Sequence, residues 1–227
     1  MDAAAAIDTL GDAALLVTFG DRIDLDLNRR AHDYAEAVEH LRITDPRFGH
    51  PVTAYASILI PFDPLAIDAA EARTIVAGLD AGPGRGSAPG AAFDGRAAAV
   101  VEIPVRYGGQ DGPDLEEVAR LHGLRPRDVV ELHAARTYNV FFLGFAPGFA
   151  YLGTLPEEIV TPRLPRPRER VPAGSVGIAG EQTGIYPFSM PGGWRLIGRT
   201  KRVMWDAGRE PPALLAPGDR VRFVPSR

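Results

Sequence analysis

The sequence predicts an α+β protein with two domains, a small N-terminal α/β domain and a C-terminal β-barrel or sandwich. Strand and helix patterns alternate in the first part of the chain, whereas short apolar strands between glycine- and proline-rich turns dominate the second. Between them, Asp80–Gly95 is rich in glycine, proline, alanine and serine and lacks hydrophobic periodicity, as linkers do. We therefore place the domains at 1–80 and 97–227, joined by a linker over 81–96.

The N-terminal domain is predicted to follow the order β-α-β-α. Apolar runs at 13–19 and 54–62 predict two buried strands, because each ends at a turn signal or a proline. The first helix begins after Asp24 or Asp26, either of which can cap it, and carries apolar residues at three- and four-residue steps. A second helix is predicted over Ile67–Leu79.

The C-terminal domain is predicted to begin with a strand over Ala98–Val105. Asp114 is expected to cap a helix over Leu115–His122, and Pro126 to open another helix that ends near Ala135. Short strands at turn-rich spacing then predict a barrel or sandwich. They cover Val140–Leu143, Val176–Ala179, Trp194–Ile197, Val203–Trp205 and Arg220–Val224.

Composition indicates a soluble globular protein. The chain has 227 residues, of which 45% are hydrophobic and 24% are charged. No apolar run approaches the ~20 residues that a membrane helix needs, and the N-terminus is acidic where a secretory signal would be basic. We therefore expect a cytoplasmic protein. The absence of cysteine excludes disulfides, thiolate metal sites and a cysteine nucleophile.

Charge is distributed unevenly along the chain. Residues 1–80 hold fourteen acidic residues and six arginines, whereas Pro162–Arg202 holds seven arginines and one lysine against two glutamates. Such a basic stretch can attract anionic ligands, nucleic acid or an acidic partner. Arginine abundance carries little weight here, because Lys201 is the only lysine and a GC-rich genome would produce the same bias.

Common cofactor motifs are missing. The sequence contains no GxxxxGK[ST] P-loop, and its glycine-rich run near Gly144 lacks the strand–GxGxxG–helix context of a dinucleotide site. The five histidines show no metal-ligand spacing, so no metal site is predicted. His133, at the end of a predicted helix, could act as a general base or bind substrate, or it could simply interact with the helix dipole.

Candidate binding groups are concentrated between Tyr138 and Thr200, where glycine and proline are unusually dense. Arginines alternate with prolines in PRLPRPRERVP (162–172), which could hold guanidinium groups for a carboxylate or phosphate, or form a solvated loop. Neutral polar groups follow beside a turn in EQTGIYP (181–187). Trp194 could form the wall of a pocket or pack in the core.

Four motifs in this region resemble the signature of a family that supplies the B component of 5-oxoprolinase. The family is also known as allophanate hydrolase subunit 1 and includes the kinase inhibitor KipI. The motifs are GFAPGFAYL (144–152), PR…PR…VPAGSVGIAG (162–180), QTGIYP (182–187) and PGGWRLIGRT (191–200). The resemblance extends to GDAALLVTFGD (11–21), IPVRYGG (103–109) and PGDRVRF (217–223), and so covers nearly the whole chain.

This resemblance implies a cyclophilin-like β-barrel in the second domain. It also implies partners, namely a C component similar to allophanate hydrolase subunit 2 and an A component. In that family the complex opens the lactam of 5-oxo-L-proline to L-glutamate with ATP as co-substrate, and the isolated chain is expected to be inactive. Two alternatives stay open, because fold alone does not decide activity. They are a KipI-like inhibitor of a histidine kinase and a carboxyltransferase subunit of the allophanate hydrolase or urea carboxylase type.

The predicted site combines the polar and aromatic groups of the central stretch. Arginines are assigned to the carboxylate or phosphate, His133 to proton transfer, Gln182 and Thr183 to the lactam edge, and the aromatic residues to the walls. The residues assigned to catalysis are His133, Arg163 and Arg170, and those assigned to substrate binding are Tyr138, Phe145, Gln182, Thr183 and Tyr186.

Overall fold

The computed structural model describes residues 5–79 and 100–226. The linker predicted over 81–96 lies outside the described residues. The chain forms two compact units, Met1–Ala97 and Ala98–Arg227, and each is treated by itself. Among the described residues, no helix combines the length and the apolar character needed to span a membrane.

The N-terminal unit is an antiparallel sheet with two helices packed on it. The sheet has the strand order β1-β2-β4-β3, and its longest pairing runs from Ala14 opposite Pro61 to Thr18 opposite Ser57. Its elements are β1 (Ala6–Thr9), β2 (Ala14–Thr18), α1 (Leu25–Thr44), β3 (Val52–Thr53), β4 (Ser57–Pro61) and α2 (Ala69–Ala77). The predicted order is present, with two short strands added at the sheet edges.

Both helices of this unit begin at an aspartate whose side chain caps them. Asp24 Oδ1 accepts hydrogen bonds from the backbone N–H groups of Asp26 and Leu27, at 2.9 and 3.1 Å. Asp68 caps α2 in the same way. These bonds satisfy N–H groups that the first helical turn leaves without partners, and they select Asp24 over Asp26 as the cap of α1.

The C-terminal unit is a closed seven-stranded barrel with the order β10-β7-β6-β13-β5-β12-β9. All neighbouring strands are antiparallel except β13 and β5, which are parallel. The barrel strands are β5 (Val100–Tyr107), β6 (Thr137–Leu143), β7 (Ala150–Gly153), β9 (Ser175–Ala179), β10 (Gln182–Ile185), β12 (Arg195–Arg199) and β13 (Arg220–Pro225). Two further strands, β8 (Arg168–Val171) and β11 (Met190–Gly192), pair separately as a ribbon.

Two helices, α3 (Leu115–Leu121) and α4 (Pro126–Ala135), and a 3₁₀ turn at Glu157–Ile159 complete this unit. The prediction of an α+β protein with a C-terminal cyclophilin-like barrel is therefore confirmed. The strand predicted over Val203–Trp205 is wrong. Among the described residues this segment forms a single isolated bridge, between Trp205 and Ala213, and the carbonyl oxygens of Val203 and Met204 accept hydrogen bonds from the Arg209 guanidinium at 3.3 Å.

The barrel wall carries apolar side chains on both of its faces. Because alternate residues of a strand point to opposite faces, Leu152 on β7 joins the barrel core, whereas Tyr151 joins a second cluster. We call this the outer cluster, and the ribbon contributes Val171 and Met190 to it. Its buried members are Phe149, Val171, Ala179, Tyr186, Trp194 and Leu196.

Asp114 is the N-cap residue of α3, as predicted, but its side chain makes no capping hydrogen bond, because its carboxylate has partners elsewhere. Oδ1 accepts a hydrogen bond from Arg168 Nη2 at 2.6 Å, and Oδ2 accepts one from the backbone N–H of Leu196 at 2.6 Å. The side chain is only 7% exposed, so one buried carboxylate joins α3 to the ribbon and to β12.

Candidate functional site

His133 lies inside the barrel with no exposed surface. Its Nδ1 is 2.8 Å from the Tyr107 hydroxyl, and its Nε2 is 2.9 Å from the Thr183 hydroxyl. The imidazole also packs against the rings of Phe223 and Tyr138, and the Tyr138 hydroxyl donates to the His133 carbonyl oxygen at 2.8 Å. Three predicted site residues, His133, Tyr138 and Thr183, are thus brought together in the barrel core.

The hydrogen bonds determine which nitrogen of His133 carries the proton. The Thr183 hydroxyl donates its single hydrogen to the Gly177 carbonyl oxygen at 3.1 Å, so toward His133 it must accept. Nε2 is therefore protonated, and Nδ1 accepts from the Tyr107 hydroxyl. Burial lowers the pKa of His133 to about 3, so the imidazole is neutral at physiological pH. Its assignment to proton transfer stays a prediction, but every polar atom of the ring is already paired.

The outer cluster borders a cleft of about 330 Å³. Five of its described lining residues are aromatic, and the rings of Phe149 and Trp194 meet edge to face at 5.5 Å. A pocket of this size, with few polar groups on apolar walls, is typical of small-molecule sites. The lining residues are Phe145, Phe149, Tyr151, Arg163, Leu164, Pro167, Tyr186, Pro191, Gly192, Gly193 and Trp194.

Phe145 stands at the edge of this cleft in an unusual backbone conformation. Its φ of 69° lies in the left-handed region, which non-glycine residues seldom adopt. The side chain is nevertheless 64% exposed, and its ring meets Phe149 edge to face at 5.5 Å. A strained backbone that presents an exposed aromatic ring at a cleft is a feature that clusters at ligand sites.

Among the residues that the structure describes, Arg163 is the one cation that lines the cleft. The backbone is fixed on both sides of it, because the Pro162 carbonyl accepts from Arg195 Nε at 3.0 Å and the Leu164 N–H donates to the Gly193 carbonyl at 2.8 Å. Within residues 5–79 and 100–226, the Arg163 guanidinium has no hydrogen bond or ion pair. It can therefore receive a carboxylate in a bidentate manner.

Tyr186 forms part of the cleft and is itself almost fully buried. Burial raises the pKa of its phenol, a shift that a hydrogen bond from the Trp194 backbone partly offsets, so the hydroxyl keeps its proton near neutral pH. Gly192 lies directly against it, since a Cβ there would be 2.3 Å from the phenol oxygen. This close approach explains why the PGG turn requires glycine at that position.

The two remaining predicted residues do not line the cleft. Arg170 is exposed, and its Nε donates to Ser189 Oγ at 2.9 Å. Gln182 begins β10, and its buried Oε1 has no hydrogen-bond partner among the described residues. The predicted site is thus divided. Phe145, Arg163 and Tyr186 meet at the cleft, and the structure adds Phe149 and Tyr151, which the alternation in GFAPGFAYL could have indicated.

Comparison with known proteins shows the family of the chain. A family model described as "Carboxyltransferase domain, subdomain C and D" matches residues 5–215. The chain belongs to this family. A Bacillus subtilis member, named as the B component of 5-oxoprolinase, is 40% identical over 235 residues, covering 96% of this chain and 91% of the relative. The resemblance predicted from the motifs is thereby confirmed.

Two further relatives of the carboxyltransferase-domain chain are longer than the region they share with it. An Escherichia coli O157:H7 protein, also named as the B component of 5-oxoprolinase, is 59% identical over 127 residues, which is 56% of this chain and 58% of that protein. The crystal structure of TTHA0988 superimposes with a TM-score of 0.76 at 39% identity, covering 94% of this chain and 40% of the other. In TTHA0988 the shared fold is therefore one part of a larger polypeptide.

No group of three or more histidine, cysteine, aspartate or glutamate side chains in the described part of the chain is arranged to hold a metal ion. Among the described residues that line the cleft, Arg163, the Tyr186 hydroxyl and the backbone of the glycine turn can contact a ligand. Such a set can bind and polarise a small planar molecule, and it contains no nucleophile of the serine or cysteine type.

Proposed function

We propose that this chain is the B component of an ATP-dependent 5-oxoprolinase, which opens the lactam of 5-oxo-L-proline to L-glutamate together with the A and C components. The observation that carries the proposal is the match to the Bacillus subtilis relative, because it extends over 96% of this chain. The relatives' names describe one component of an enzyme, which supports an assembly with partners and a chain that is inactive alone.

The aromatic cleft suits the substrate class. 5-Oxoproline is a small, flat ring with one carboxylate and one lactam carbonyl. Arg163 offers an uncommitted guanidinium for the carboxylate, and the rings of Phe149 and Trp194 offer apolar walls for the lactam ring. The Tyr186 hydroxyl, which burial keeps protonated, can donate to the lactam oxygen. Arg163 thus keeps its predicted role at the carboxylate, whereas Tyr186, which was predicted to form a wall, becomes a donor to the lactam oxygen, and Phe145 stands at the edge.

The reaction breaks the lactam C–N bond. Water supplies the hydroxyl that forms the new carboxylate, and the ring nitrogen gains a proton to become the amino group of glutamate. ATP supplies the driving force as it is converted to ADP and phosphate with a second water. In this scheme the chain's own residues orient the ring and stabilise charge on the lactam oxygen, while the partner components complete the site.

Reconstitution tests the proposal. The chain is purified together with the A and C components, and glutamate release from 5-oxoproline is measured in the presence of ATP. A mixture that lacks this chain is the control. We expect turnover only by the complete set. Absence of glutamate from the complete set, while its proteins are folded and associated, would contradict the proposal.

The description of the matching family favours one second candidate, a carboxyltransferase subunit of the urea carboxylase type. Urea is also planar, but it has no carboxylate, so it would leave Arg163 without a partner. The two functions are separated by supplying the complex with urea and carboxybiotin in place of 5-oxoproline and ATP. Loss of carboxybiotin that depends on urea would replace the lactam-opening proposal with this one.

A further inference from the structure

A second concave region, which we call the basic pocket, shares no lining residue with the aromatic cleft. It comprises two neighbouring cavities of about 410 and 140 Å³, which have Arg106, Arg199 and Lys201 in common. Arg202 lines the larger cavity, and no acidic residue within 5–79 and 100–226 lines either one. The other lining residues are Pro104, Ala173, Gly174, Pro187, Thr200, Val203 and Ser226.

Two of these cations are held directly opposite each other. Arg106 on β5 and Arg199 on β12 are register partners across an antiparallel ladder, so their side chains leave the same face of the sheet. Like charges in such a pair destabilise the sheet. Asp111 neutralises one of them, with Oδ2 2.9 Å from Arg106 Nη2. Arg199, Lys201 and Arg202 make no ion pair with any residue in the described part of the chain.

The pocket floor is fixed by the backbone. Arg199 Nε donates to the Ala173 carbonyl at 2.8 Å, which orients the guanidinium and leaves its terminal nitrogens available. The Thr200 N–H donates to the Gly174 carbonyl at 2.9 Å. Gly174 has a φ of +79°, and a Cβ there would lie 2.1 Å from the Thr200 carbonyl oxygen. The cations therefore extend from a rigid turn and not from a flexible loop.

We propose that the basic pocket binds the polyphosphate group of a small molecule. Three uncompensated cations, with a fourth that is paired, exceed what one carboxylate needs, whereas consecutive phosphoryl groups would engage several of them at once. Bound anions would also relieve the repulsion between Arg106 and Arg199. The larger cavity has the volume of a small-ligand site. A nucleoside triphosphate and inorganic polyphosphate share this chemistry.

Sodium tripolyphosphate titrated into the isolated full-length chain tests the site by calorimetry, with no substrate or partner protein present. The result is therefore independent of the lactam-opening proposal. We expect saturable one-to-one binding that weakens as NaCl is raised from about 50 to about 300 mM. Lys201→Gln and Arg199→Gln should each lower the affinity roughly tenfold, since each removes a charge-assisted contact.

Arg220→Gln is the matched control. It removes the same charge from β13, at the far end of β5 and ~20 Å from Arg106 by strand spacing, and should leave the affinity unchanged within about twofold. Lys201 has no ion-pair partner among the described residues, so the Lys201→Gln variant should fold normally. Competition by ATP identifies a nucleotide as the ligand, and its failure to compete identifies inorganic polyphosphate; both support the site. No binding at millimolar tripolyphosphate, or an equal loss in Arg220→Gln, would overturn the proposal.

Discussion

Replacing His133 with leucine asks whether this histidine stabilises the barrel or transfers protons. The leucine fills a similar volume but cannot bond to Tyr107 or Thr183. Thr183 keeps its bond to Gly177, so only the Tyr107 hydroxyl is left buried without its acceptor. An unsatisfied buried group of this kind costs about 1–3 kcal/mol, so the free energy of unfolding at pH 7.5 should fall by that amount.

A second substitution separates this loss from a change in packing. In the double variant His133→Leu/Tyr107→Phe no polar group is left unpaired, and most of the lost stability should return. The two single variants and the double variant form a double-mutant cycle, which isolates the interaction between the two side chains. Urea unfolding followed by circular dichroism measures each free energy.

The dependence on pH supplies an independent readout. The pKa of His133 is lowered to about 3 in the folded chain, against 6.5 for the free group. Between pH 3 and pH 6.5 the imidazole of His133 binds a proton only in the unfolded chain. The free energy of unfolding of the wild type should therefore fall by ~1.4 kcal/mol for each pH unit below 6.5. His133→Leu lacks this contribution, and carboxylates contribute equally to both proteins.

The difference in unfolding free energy between wild type and His133→Leu should therefore shrink from pH 7.5 to pH 5. A constant difference over that range would show that the imidazole protonates in the folded barrel, and would refute the closed environment described for it. The His133→Leu/Tyr107→Phe variant is also tested for glutamate release in the reconstituted complex. Normal release by this variant would exclude proton transfer by His133.

Two other substitutions test the connections around the cleft. Asp114→Asn should destabilise the protein by about 3 kcal/mol in urea unfolding, because it removes the charge that pairs with Arg168, whereas an unchanged midpoint would contradict this role. Gly192→Ala places a methyl group 2.3 Å from the Tyr186 phenol oxygen, so it should lower the free energy of unfolding by ~1–3 kcal/mol and raise the KM for 5-oxoproline. A KM equal to that of the wild type would show that the cleft tolerates the displacement of Tyr186.

The elements with a strong local signal could be predicted from the sequence. Asp24 capped the first helix, and Pro126 opened α4 where expected. Asp114 shows where such prediction ends. Its position before a helix is typical of a capping side chain, but its carboxylate oxygens accept hydrogen bonds from residues 54 and 82 positions away in the sequence. Local pattern carries no information about such distant competitors.

The candidate site shows the same limit. Arg163 and Tyr186 were predicted and do meet at the cleft. His133 and Thr183 were assigned to the same site, but strand alternation sends Thr183 into the barrel while its neighbour Gly184 faces the outer cluster. Which face a side chain takes depends on the barrel's closure, and a short strand such as β10, which reads QTGI, has no apolar–polar alternation that would encode it.

The most direct test of the central claim, that the aromatic cleft binds the lactam through Arg163, is the KM for 5-oxoproline in the reconstituted complex. Arg166→Gln is the matched control, since Arg166 belongs to the same proline-rich segment but does not line the cleft. We predict that Arg163→Gln raises KM roughly 30-fold or more with little change in kcat, because it removes a charge-assisted bond from bound substrate, while Arg166→Gln has no effect. An unchanged KM in Arg163→Gln, or an equal rise in both variants, would contradict the claim.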